Sequence, residues 1–160
     1  MKLLTSALRT ALQANAAAHA ARAERSAEGA HDPVPVVKFF NPMGPATWLA
    51  TELDADGDTL FGLADLGFGC PELGYFSLSE IAALRLPFGL RIERDIGFAT
   101  TAPLSVWAEV ARGVGSILAA QAVVRAIEAA ARSARPSIHG NGAANAPDPD
   151  PLPPGHPLDG

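Results

Sequence analysis

Thr47–Leu53 and Thr59–Leu66 are two runs rich in β-branched, aromatic and leucine residues, and only Asp54-Ala55-Asp56-Gly57-Asp58 separates them. Aspartate and glycine are turn formers, and glycine supplies the positive φ that a tight connection between antiparallel strands needs. The pair therefore predicts a β-hairpin. A chain committed to a hairpin must cover an antiparallel sheet, and that sets the search for its other elements.

Val34–Phe40 is β-branched and aromatic and ends at Asn41-Pro42, so it reads as a third strand. Leu90–Phe98 alternates, with Leu90, Ile92, Ile96 and Phe98 on one face and Arg91, Glu93 and Asp95 on the other, and reads as a fourth. Leu4, Leu8 and Leu12 recur every four residues, with Thr5 as an N-cap, and predict a helix over Ser6–Asn15 whose C-terminal continuation is exposed or frayed. Ser77-Leu78-Ser79-Glu80 is a capping box opening a helix over Leu78–Leu86 that Pro87 stops. Pro103 suits the first turn of a helix reaching Arg112, with Leu104, Trp107, Val110 and Ala111 as its buried stripe. Ser116–Arg135 reads as an alanine-rich helix with Ile117, Ala120, Val124 and Ile127 on one side. Beyond Pro136 the composition collapses to Pro, Gly, Asn and Asp, too little apolar area to offset ordering entropy. The expected organisation is an N-terminal helix and linker over 1–33, a core domain over 34–112, the alanine-rich helix over 113–135 and a disordered tail over 136–160. The expected fold class is α+β: a small, mainly antiparallel sheet packed by three helices.

The chain has 160 residues and a net charge of −5. The core segment alone carries five basic and ten acidic residues, and no lysine or arginine lies between Lys38 and Arg85. A phosphate backbone would be repelled there, so direct nucleic-acid binding is not expected. The mean hydropathy is +0.15. It comes mostly from alanine, and the longest apolar stretch, Gly113–Val124, is too short to span a bilayer, so no membrane segment is expected. Arg9 interrupts the N-terminal apolar run that a secretory signal would need, which points to the cytoplasm. One cysteine excludes an internal disulfide and any multi-cysteine metal site.

Gly67-Phe68-Gly69-Cys70-Pro71-Glu72-Leu73-Gly74-Tyr75 is the most unusual stretch. It reads as a loop, and glycine-rich loops inside a domain let a ligand approach the backbone. Gly67, Phe68, Gly69, Glu72, Gly74 and Tyr75, with Trp48 as a further stacking surface, are the candidate binding residues. The competing reading is a tight connection with Phe68 and Tyr75 packed inward. Cys70 reads as a buried, inert thiol, because His19, His31, His139 and His156 all fall outside the core segment. The same absence argues against histidine-based zinc sites and a Ser–His–Asp triad. Asp54, Asp56, Asp58 and Asp65 fit four positions of a calcium loop, but Thr59 stands where the sharp turn needs glycine and Asp65 where a bidentate glutamate belongs. They read as an acidic turn, so no metal and no cofactor is expected. Asp65, Glu72 and Arg94 are the candidates for acid–base chemistry, with Arg94 expected to pair with Asp65, Glu72 or Glu52.

The stretches PVVKFFNP, ATWLATELDADGDTLFGLADLGFGCPELGYFSLSEI, LPFGLRIERDIGF and PLSVWAEVAR, preceded by LLTSALRTAL, resemble the bacterial family called domain of unknown function 2958. The resemblance spans Leu3 to Arg112, with Ser6 where a proline is common. It implies a small protein of Proteobacteria, often carried on plasmids and mobile elements, near DNA-processing and antirestriction genes. It brings no agreed catalytic or binding residues. Two functions follow as expectations: a non-enzymatic binding or accessory protein acting on a protein partner in mobile-element or host-defence biology, and, as the alternative, an enzyme built on Asp65, Glu72 and Arg94.

Overall fold

The Asp54–Asp58 turn closes as its residue types require. The Asp54 N–H donates to the Thr59 carbonyl, Gly57 takes a φ of +74°, and the Asp56 carboxylate accepts the N–H groups of Asp58 and Thr59. A computed structural model describes residues 2–26 and 29–135. The turn joins β2 (Thr47–Leu53) to β3 (Thr59–Asp65). β1 (Val37–Phe40), β4 (Glu72–Ser77) and the short β5 (Glu93–Arg94) complete a five-stranded antiparallel sheet in the order β4-β3-β2-β1-β5.

β2 is buried along its whole length because the sheet is covered on both faces. On one face Leu3, Leu4 and Leu12, the last from α1 (Ser6–Glu24), meet Phe39, Trp48, Leu53 and Leu60, together with Ile81 from α2 (Leu78–Ala83). On the other, Leu49 and Leu63 pack against Leu104, Trp107 and Ala111 of α3 (Leu104–Val114) and Ile117, Ala120 and Val124 of α4 (Ile117–Ser133). Trp48, Ala50 and Leu53 share the first face, although strict alternation would turn Leu53 away. A bulge between Ala50 and Glu52 absorbs one residue and restores it. Gly62 sits across from this bulge, and a Cβ there would lie 1.8 Å from the Leu49 carbonyl oxygen, so only glycine fits.

The fold class is α+β, as expected from sequence, with several local differences. α1 runs nine residues beyond Asn15 to Glu24, and its second half is docked, since Asn15 Nδ2 donates to the Thr51 carbonyl at 2.9 Å. The second half of the Gly67–Tyr75 stretch is not loop but strand β4, paired to β3 from Ala64↔Glu72 to Thr59↔Ser77. Leu90–Phe98 shrinks to two paired residues, because Asp95 accepts the Gly97 N–H and turns the chain after Arg94. Ile96, assigned to the apolar face, is 81% exposed. α2 ends at Ala83, and Pro87–Gly89 forms a separate 3₁₀ turn. Ser77 caps α2 as expected, its Oγ accepting from the Glu80 N–H, and Ser116, read as the first residue of the alanine-rich helix, is its N-cap, with Oγ accepting from Ala119. The expected disorder of 136–160 lies outside the described residues. No helix among the described residues is long and apolar enough to cross a membrane.

Candidate functional site

The outer edge of β4 and the turn before it hold most of the residues singled out from sequence. Gly67 and Gly69 take φ values of +89° and +81°, where side chains are strained, and this folds 67–70 into a tight projection. Phe68 stands at its tip, 83% exposed. Tyr75 is 69% exposed and leans on Phe61, with ring centroids 5.0 Å apart. Leu66 and Leu73 add exposed apolar surface. Phe68 and Tyr75 are therefore not packed inward. The physical reason is that β4 is the last strand: its partner β3 lies on one side, and among the described residues no strand lies on the other. Cys70 is exposed, not buried. Trp48 is the exception among the binding candidates: it is 5% exposed and belongs to the core.

The acid–base candidates do not converge. Asp65 is wholly buried and holds backbone: Oδ1 accepts the Gly67 N–H at 2.8 Å and Oδ2 the Ile117 N–H at 2.9 Å, which caps α4. Arg94 pairs with none of Asp65, Glu72 and Glu52. Its guanidinium donates to the carbonyls of Lys2 and Leu3 and pins the start of the chain to the sheet edge. Glu72 is exposed on β4. The aspartates of the calcium-like register separate as well. Asp56 closes the hairpin turn, Asp58 accepts from Ser77 and Ser79 at the start of α2, and Asp65 caps α4. Hydrogen bonds from Thr59 hold the Asp56 carboxyl below its usual range, and one from Ser77 does the same for Asp58.

A second cluster was not legible in the sequence. The docked half of α1 carries His19 to the end of β2, where its Nδ1 lies 3.1 Å from Glu52 Oε2. The chain returns from α1 past Gly29, whose carbonyl accepts from Arg22. Asp32 accepts from the N–H and hydroxyl of Ser105, and the Pro33 carbonyl accepts from Leu104. These bonds fix His31 beside Glu52, with Nε2 3.3 Å from Oε1. The two imidazoles stack with centroids 4.8 Å apart and planes 21° apart. Among the described residues this is the one group of three or more histidine, cysteine or carboxylate side chains whose ligand atoms come close enough to share a cation. The expectation that no histidine reaches the core segment is corrected: the N-terminal extension delivers two. A histidine three residues before an arginine on an alanine-rich helix gave no periodic signal for it.

A lysine cluster is the third feature. Lys38 is 6% exposed, and its Nζ donates to Asp95 Oδ2 at 3.0 Å and Gln121 Oε1 at 2.9 Å. The buried ammonium thus has a carboxylate partner and an amide acceptor, as its burial requires.

The family model described as Protein of unknown function (DUF2958) matches residues 3–118. That span contains α1, the whole sheet, α2, α3, the histidine–carboxylate cluster and the first two residues of α4. Neither a curated protein nor a solved structure matches the chain.

Proposed function

We propose, from the premise that this chain belongs to the DUF2958 family, that it is a non-enzymatic binding protein that receives an extended segment of a protein partner along β4. The observation that carries this reading is the open six-residue edge of β4, flanked by exposed Leu73, Tyr75 and Phe68. An unpaired edge offers a row of N–H and C=O groups to an incoming strand, and alternate side chains select it. Leu73 and Tyr75 point to the face that also carries α3, as their β3 partners Leu63 and Phe61 do. Natural proteins blunt such edges with lysine or proline, and β4 contains neither. The occupant follows from charge. The span from β2 through β4 to α2 lacks a basic residue, Glu72 and Glu80 are exposed beside the edge, and Arg112 of α3 is the cation in the hollow that Glu72 and Leu73 line. A strand alternating apolar and basic residues complements it, and a nucleic-acid backbone does not. In the mobile-element setting that the family resemblance implies, the partner is a protein of the bacterial host or of the element itself.

The test is affinity capture from the native host with the full-length protein beside a Leu73→Lys, Tyr75→Lys variant and a control variant at the opposite side of the sheet, Ile96→Lys. The reading expects a partner that the wild type and the control retain and the edge variant loses. A partner set unchanged by the edge variant overturns it.

A further inference from the structure

Glu52 belongs to a residue only 6% exposed, and a carboxylate so placed needs a cation or several donors. Its neighbours are the two imidazoles. The rings stack with centroids 4.8 Å apart. His31 Nε2 is closed to solvent, faces Glu52 Oε1 at 3.3 Å, and makes no hydrogen bond. A single divalent cation held by the three groups gives that nitrogen a partner and the buried carboxylate a positive charge.

We propose that His19, His31 and Glu52 form a binding site for a divalent transition-metal ion of the zinc class. The donor set is two imidazole nitrogens and one carboxylate, which suits zinc and leaves a fourth position for a donor from outside the chain. The spacing agrees. Ligand atoms about 2.0–2.2 Å from a tetrahedral ion lie roughly 3.3–3.5 Å from one another. The two histidine–carboxylate separations are 3.1 and 3.3 Å, and all the ligand atoms lie within 4.8 Å of one another. Rotation of the His19 side chain, which is half exposed, closes the remaining gap and places the open position toward solvent. The supports around the site are rigid. Asn15 ties α1 to the β2 bulge one turn before His19, and Asp32 anchors the residue after His31 to the start of α3. Arg22, one turn after His19, donates from Nη2 to the Gly29 carbonyl and ties α1 to the returning chain.

The experiment uses the full-length protein, stripped with a chelator and titrated with Zn²⁺ against a chromophoric competitor, and with Co²⁺ to read the visible spectrum. The site predicts one ion per chain, a four-coordinate cobalt spectrum and a rise in Tm on loading. His19→Ala, at a half-exposed helical position, and His31→Ala each weaken binding by at least about tenfold, the loss that even an outer partner of a metal ligand causes. Changing both tail histidines, His139 and His156, to alanine leaves affinity and spectrum intact. Absence of 1:1 binding, binding unchanged in both single variants, or binding abolished by the tail variant overturns the proposal. Circular dichroism of the stripped variants separates a lost site from a lost fold.

Discussion

Replacing Asp65 by alanine is expected to cost about 3–4 kcal/mol, because two hydrogen bonds to a charged acceptor disappear at once. The Ile117 N–H donates to Oδ2 at 2.9 Å in a fully buried position, where no water replaces the lost acceptor. A charge-assisted bond lost there, with its donor stranded, accounts for about 2–3 kcal/mol. The Gly67 N–H, 2.8 Å from Oδ1, belongs to an exposed residue that solvent can reach, and adds about 1 kcal/mol. Asp65→Asn keeps one acceptor oxygen and turns an amide donor toward the other N–H, so its loss is intermediate, about 2 kcal/mol. Urea unfolding followed by tryptophan fluorescence measures both variants. Trp48 reports the α1 side of the sheet and Trp107 the α3–α4 side, each nearly buried. A coincident shift of both signals means that the two layers unfold together. A loss below about 1 kcal/mol for Asp65→Ala would refute the assignment of this carboxylate as the cap that seats α4 on β3.

Two other outcomes follow from single side chains. For Glu128, burial pushes the carboxyl up, but hydrogen bonds from Thr100, Thr101 and Ala102, with Arg132 nearby, together hold it below its ordinary 4.5. A carboxyl held low when folded stabilises the protein above the ordinary value and loses that contribution as pH falls toward the folded one; Glu128→Gln should flatten the fall in stability as pH drops below 4.5, and an unchanged pH profile would contradict the role. Cys70 is exposed, so a small thiol reagent should label it in the native protein without denaturant, whereas labelling that requires urea would show it buried.

Local signals were legible in the sequence where one residue type has one physical use. The Asp54–Asp58 hairpin, the Thr5 and Ser77 caps and the stripe Leu104, Trp107, Ala111 stand where residue chemistry placed them. What failed depended on partners far along the chain. Leu90–Phe98 alternates well enough for a strand, but only Glu93 and Arg94 find β1 beside them, and Asp95 turns the rest away. β4 sets Gly74 before Tyr75 and so reads as loop, yet Gly74 pairs with Gly62 of β3 in an unbroken ladder from Glu72 to Ser77. The bulge between Ala50 and Glu52, which shifts the register of β2, is announced by no residue type. The histidine cluster was invisible for the same reason: His19, His31 and Glu52 span 33 residues and three elements, and only the docking of α1 joins them.

The claim that β4 is the working edge is tested most directly by a photo-crosslinking amino acid placed at Tyr75 and, separately, at Ile96, in the full-length protein expressed in its host. Both positions are well exposed, at 69% and 81%, and they lie at opposite sides of the sheet. A binding edge at β4 gives a defined protein adduct from position 75 that Leu73→Lys abolishes, and none of that mass from position 96. No adduct at 75, or the same adduct from both positions, would contradict it.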